Sequence, residues 1–247
     1  MNRLLSFWLC LGMVFCATIS TAEQSTEHYR ANFAYTAPAT EPSAKREATF
    51  TVADIVYKQG AGGGLWFASP QFAELSPAVR RDLSSLLLVK GFRVLGQYDS
   101  YDLIPFQDKK AIDMLLLPTF ELSVAIKNIK EQIENFWAWK SPTLQTGTVE
   151  VSGKFTVELR EISTRELLWI KTIPLKKSEF PLLVRIPWGK HYSPGKPYAF
   201  DPILDGLAGD IERQYPGIMA AIFNLIDAEE MATLRNEAQE LKHKKGF

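Results

Sequence analysis

The residue types that could do chemistry in this chain are few and scattered. Cys10 and Cys16 lie in the first apolar run and no other cysteine follows. His28, His191 and His243 are too far apart to suggest a metal site. The glycine run at residues 60–64 is followed by Leu65 and Trp66. A phosphate loop needs Gly-Lys-Ser/Thr there, so the run reads as a flexible loop. No triad, metal cluster or phosphate loop is legible, which points away from an enzyme and implies no cofactor.

Cations beside aromatic rings are more suggestive. Lys127 and Lys130 stand in a long apolar-to-charged run, and Trp137 and Trp139 follow within a few residues. The two tryptophans share one face if that stretch is extended. They can stack on a sugar ring, sit at a lipid interface, cover a partner surface, or fold back onto their own domain. Residues 180–200 hold Pro181, Pro187, Pro194 and Pro197 among Trp188, Tyr192, Tyr198 and Phe200. Arg185, Lys190, His191 and Lys196 are interleaved with them. A basic, aromatic loop can hold a carboxylate and stack on the apolar face of a sugar. Packing of these aromatics against a sheet is the plainer alternative. The candidate ligand-binding set is Lys127, Lys130, Trp137, Trp139, Trp188, Lys190 and His191.

The elements that must position these residues follow from periodicity. Residues 113–176 contain three apolar runs, 114–133, 148–162 and 167–175. In the middle run Val149, Val151, Phe155, Val157 and Leu159 share one parity, with Glu150, Lys154 and Glu158 among their neighbours. A period of two predicts antiparallel strands with one face buried. A strand at 113–133 outruns an ordinary core, so its far half should project as a hairpin arm. Residues 163–164 make the turn to a strand over 165–175, where Pro174 marks an edge or the strand's end. Residues 49–58 alternate and read as a first strand. Ser76-Pro77 reads as a helix start, Gly91 as its stop, and 92–98 as the next strand. That strand–helix–strand unit predicts two parallel neighbours. A short helix is expected over 105–112.

Downstream, Asp201-Pro202 reads as a helix start, with Ile203, Leu204, Leu207 and Ile211 as its stripe. Pro216 kinks or restarts it. Asp227 with Glu230 has the spacing of a capping box. Met231, Leu234, Ala238 and Leu241 form a short apolar seam that should dock on its own domain. The fold class expected is α+β: a mixed, mainly antiparallel sheet with a long β-hairpin, one strand–helix–strand unit and C-terminal helices packed on the sheet.

Composition bounds the rest. Lys and Arg total 28 and Asp and Glu total 28, so no global field attracts nucleic acid. Apolar content of 46% and charged content of 23% are ordinary globular values. Residues 1–22 read as a signal peptide: Arg3, an apolar core over 4–15 too short to span a bilayer, and Ser20 and Ala22 before the cut. A lipid on Cys16 is the alternative. Residues 23–46 read as an extended N-terminal arm and 47–247 as a single α/β domain.

The C-terminal run "GIMAAIFNLIDAEEMATLRNEAQELKHKKGF" resembles the end of the neuraminyllactose-binding hemagglutinin family. The resemblance extends back through "LLLVKGFRVL", residues 109–113 and the hairpin over 149–170. Members of that family are surface or outer-membrane lipoproteins of Gram-negative bacteria, also linked to the flagellar sheath. The resemblance implies export to the periplasm, outer membrane or cell surface, and possible peripheral membrane association. It implies a partner that is either a sialylated glycan or an envelope protein, met as an adhesin or as a structural module. Two departures stand out. Phe15 precedes Cys16, where the family's lipobox has a small residue. The basic hairpin segment that some members carry is matched here only by Lys127-Asn128-Ile129-Lys130, which turns acidic at Glu131.

Overall fold

A computed structural model of the chain describes residues 29–38, 46–59, 66–96, 98–133, 141–189 and 197–246. The expected signal peptide, the glycine loop, Trp137, Trp139, Lys190 and His191 lie outside these residues.

Two long strands form the spine. β4 (Met114–Ile133) pairs antiparallel with β5 (Thr143–Glu161) along nearly their whole length. β5 begins five residues before the alternating run at 148, because 143–147 continue the ladder with less apolar side chains. Each spine strand is flanked by two collinear pieces. On the outer side of β4, β1 (Thr49–Val52) and β2 (Val56–Gln59) both run parallel to it. The stretch read as one strand over 49–58 is therefore two, broken at 53–55. On the outer side of β5, β6 (Leu167–Pro174) and β7 (Ser178–Ile186) both run antiparallel to it. β3 (Arg93–Val94) closes the sheet beside β1, parallel to it, as the strand–helix–strand reading requires.

β7 corrects the sequence reading. Residues 180–186 are a strand, not the start of a loop. Phe180, Leu182, Val184 and Ile186 alternate and the last three are buried. Pro181 and Pro187 mask that period in the sequence. Pro181 is tolerated because β7 pairs on one side only.

The even positions of β4 and the odd positions of β5 make the core face. Phe120, Leu122, Val149, Val151, Phe155, Val157 and Leu159 are all buried there. Helix α1 (Leu75–Val89) covers it with Leu75, Val79, Leu83, Leu86 and Leu87. Its start also differs from expectation: Glu74 is the N-cap, and the Ser76 hydroxyl instead accepts the Ile55 N–H at 3.3 Å. Its end follows expectation. Gly91 has φ +86, with Gly91 N–H on the Leu88 carbonyl and Phe92 N–H on the Leu87 carbonyl. That pair of bonds satisfies two terminal carbonyls of the helix.

Helix α2 (Phe106–Ala111) is flanked by Ile104 and Ile112, which pack on the opposite sheet face near the start of β4. Ile104, Ile112, Leu115 and Ile162 form a second, smaller cluster there. Helix α3 (Pro197–Leu225) begins at Pro197, before the expected Asp201-Pro202 start, and runs through both Pro202 and Pro216. An interior proline costs about 3 kcal/mol. Leu207, Ile211, Tyr215, Met219 and Ile222 are buried on both sides of Pro216, and that burial outweighs the lost bond. Helix α4 (Ala228–Lys244) is capped by Asp227, whose carboxylate accepts the Glu229 and Glu230 N–H groups at 2.9 Å. Met231, Leu234 and Ala238 of its seam are buried in the core.

Candidate binding face on the hairpin arm

Beyond Val124 β4 leaves the core, while β7 beside β5 keeps Leu182, Val184 and Ile186 buried. From residue 127 to 133 every β4 side chain is exposed. Lys127 and Lys130 are three apart, so a regular strand would put them on opposite faces. The register shifts between them: Lys127 lies opposite Thr148 and Lys130 opposite Thr146. The extra residue is absorbed around Asn128, which has φ +53. Asparagine tolerates that left-handed conformation better than most residues. The bulge therefore brings Lys127 and Lys130 onto one face, the face opposite the core.

The neighbours on that face follow from the register. Across β5 they are Thr148, Thr146 and Leu144; across β7 they are Pro181, Leu183 and Arg185. Leu183 is 59% exposed. The surface carries cations, hydroxyl groups and an exposed aliphatic side chain. Lys127 is already committed, since its ammonium bonds the Glu150 carboxylate. Lys177 reaches the other oxygen of Glu150 at 3.4 Å. These two ammonium groups, the Lys127 bond foremost, hold the Glu150 carboxyl below the usual carboxylate range. Lys130 forms no ion pair among the described residues.

Trp188, 57% exposed, follows the end of β7 and so lies at the same end of the sheet as Ile133 and Thr143. The structure thus places Lys127, Lys130 and Trp188 at the arm. Arg185, Thr146, Thr148 and Leu183 join them, and sequence reasoning left these four out of the candidate set. The alternation of 180–186 was the available signal for Leu183 and Arg185. The bulge had no sequence signal stronger than Asn128 itself.

A separate cavity of about 220 Å³ is lined by Arg46, Glu47, Ala48, Phe92, Ala232 and Arg235. Arg235 spans Glu47 at 2.7 Å and Asp113 at 3.6 Å, and Arg46 donates to the Lys90 carbonyl. These pairings close the helix-to-strand junction and leave little convergent charge for a ligand. Among the described residues no group of three or more His, Cys, Asp or Glu side chains is placed to hold a metal ion. Among the same residues no helix is long and apolar enough to cross a membrane.

No protein-family model matches the chain, and no curated protein matches it significantly. Solved structures do. The crystal structure of a neuraminyllactose-binding hemagglutinin homolog from Helicobacter pylori is 15% identical, with a TM-score of 0.55 over 83% of this chain and 98% of that one. A protein from Xanthomonas campestris is 11% identical over 87% of this chain and 98% of its own, with a TM-score of 0.35. A lipoprotein from Neisseria meningitidis is 11% identical over 69% and 99%, with a TM-score of 0.25. The first shares the overall fold of this chain; the other two values are too low to define a common fold.

Proposed function

We propose that this chain is an exported, envelope-associated binding protein, not an enzyme, and that it presents the outer face of the β4–β5 arm to a sialylated glycan. One observation carries the reading: the bulge at Asn128 sets Lys127 and Lys130 on the same open face, in register with Thr146, Thr148, Leu183 and Arg185. A sugar carboxylate suits Lys130 and Arg185, the threonine hydroxyls suit ring hydroxyls, and Leu183 suits the apolar face of a ring. The resemblance of the C-terminal run, residues 217–247, to the hemagglutinin family supports the envelope-associated reading. Lys127 is shared with Glu150, so Lys130 is the stronger anchor.

The test is a titration of residues 23–247 with sialyl-lactose, followed by tryptophan fluorescence and calorimetry. A saturable response that disappears with the asialo sugar is expected. Lys130→Ala should weaken it about ten- to a hundredfold, the worth of one charge-assisted bond. Unchanged affinity in Lys127→Ala/Lys130→Ala would remove the arm from the site.

A second reading has its own observation. Ile129, Ile133, Leu183 and Trp188 are all exposed at this end. Such side chains also suit a protein contact in an assembly of the outer membrane or flagellar sheath. No sugar response from folded protein, together with capture of one envelope protein that Leu183→Ser abolishes, would select that reading.

A further inference from the structure

The end of the molecule opposite the arm carries a different surface. Residues 103–106 make a corner between a short 3-10 turn (Tyr101–Leu103) and α2. Ile104 is buried in the small cluster with Ile112, Leu115 and Ile162 and pins the corner to the sheet. Leu103 and Phe106 stand on either side of it, 63% and 58% exposed. A single exposed leucine needs no explanation. Here two large apolar side chains flank one corner, and cations stand directly behind them. The Lys110 ammonium is 4.8 Å from the Phe106 ring centroid. The Lys109 ammonium and the Arg165 guanidinium lie 4.0 and 3.6 Å from the Tyr101 ring. The nearby acids already have partners: Asp102 accepts from Arg165, and Asp108 accepts from the Tyr98 hydroxyl at 2.7 Å.

We propose that the 103–106 corner is a foot that seats the protein on an anionic phospholipid surface, with Leu103 and Phe106 entering the headgroup–acyl boundary and Lys109 and Lys110 meeting the phosphates. The composition selects a bilayer over a protein partner. Protein interfaces are depleted in lysine, whereas aromatic and aliphatic side chains ringed by lysines suit the membrane–water boundary. β4 starts beside this corner at Met114 and ends in the arm at Ile133, so foot and arm are separated by about the length of the strand, roughly 65 Å. The inference does not rest on the glycan reading.

The test is flotation of the full chain, exported and processed in a bacterial host, with vesicles of phosphatidylcholine alone or mixed with phosphatidylglycerol. The parent should float with the mixed vesicles only, and less so at high salt. Leu103→Ser/Phe106→Ser and Lys109→Glu/Lys110→Glu should each lower the bound fraction at least about tenfold with the thermal midpoint unchanged. A parent that floats with neither vesicle, or variants that float as the parent does, would overturn the proposal. Loss of an envelope-protein contact in the same variants, without vesicle binding by the parent, would also overturn it. Sialyl-lactose titration of the same samples reads the arm separately, so failure at one end leaves the other measurable.

Discussion

Tyr215 offers a sharp test of what holds the helical layer together. Its hydroxyl donates to Asp82 Oδ2 at 2.7 Å, and both residues are buried. Arg81 donates to the other oxygen of Asp82 at 2.9 Å and, through a second nitrogen, to the Phe33 carbonyl at 3.1 Å. Three segments meet here: α1, α3 and the extended chain at residues 29–38. Tyr215→Phe keeps the ring and its edge contact with Phe33 at 5.5 Å, and removes only the donor. Asp82 Oδ2 is then buried without that bond. A hydrogen bond to a charged group contributes about 1.5–3 kcal/mol. For a chain of this size that lowers Tm by about 3–12 °C. Urea unfolding at neutral pH measures it directly. In an Asp82→Ala background the same change should cost less than about 0.5 kcal/mol, since the partner is gone. A Tyr215→Phe protein within about 0.5 kcal/mol of the parent would refute the reasoning. A pH signature accompanies it. Burial, then the Asp82 bond and charge, raises the Tyr215 hydroxyl above its ordinary value of 10.0. The unfolded chain therefore loses this proton first, and stability falls as pH rises past 10.0. Tyr215→Phe should remove that part of the alkaline slope.

Three further outcomes are expected. Tyr57 is pushed up to about 12, by burial first and then by the Asp54 charge. The stability it contributes is complete below 10.0 and lost between 10.0 and about 12; Tyr57→Phe should recover about 2 kcal/mol at the alkaline end of a urea series. Gly153→Ala would set a Cβ 2.2 Å from the Glu121 carbonyl oxygen, between the paired spine strands. It should cost about 3 kcal/mol, read as a lower urea midpoint or loss of soluble protein. Asp227 is held below its ordinary value, chiefly by the Glu230 N–H, so its cap contributes above the usual carboxylate range and fades as pH falls through it. Asp227→Asn keeps an acceptor and should flatten that acid-side loss in thermal melts.

Much of the architecture was legible wherever local pattern and burial agree. The parity of 149–159 identified the buried face of β5, and the long apolar run identified β4 to its last residue. Gly91 and Asp227 marked a helix end and a helix start because their roles depend on backbone conformation and a nearby N–H, which are local. The failures share a cause. Prolines at 77, 181, 202 and 216 were read as punctuation, yet each stands inside an element: Pro77 in the first turn of α1, Pro181 on a strand paired on one side only, and Pro202 and Pro216 within α3. The break between β1 and β2 moves the core-facing parity from Phe50 and Val52 to Ile55 and Tyr57, a change that the continuous apolar run hides. For the candidate site, the cations were legible by type. Their common face was not, because it depends on one residue's positive φ and on a register set by the partner strand.

The spine has a mechanical consequence. β4 and β5 pass unbroken from the core into the arm, so a pull on the arm acts along both strand axes. β1 and β2 grip one flank and β6 and β7 the other, and all these ladders lie along the line of tension. Their hydrogen bonds are loaded together in shear and do not unzip one at a time. The discontinuity between β6 and β7 would be the weak link. There, Leu175 N–H bonds the Gly153 carbonyl at 3.0 Å, and Gln214 of α3 clasps the backbone of Lys176 at 2.8 and 3.0 Å. Those bonds tie the joint to the helical layer, so the flank bears load as one cable and passes it into the core.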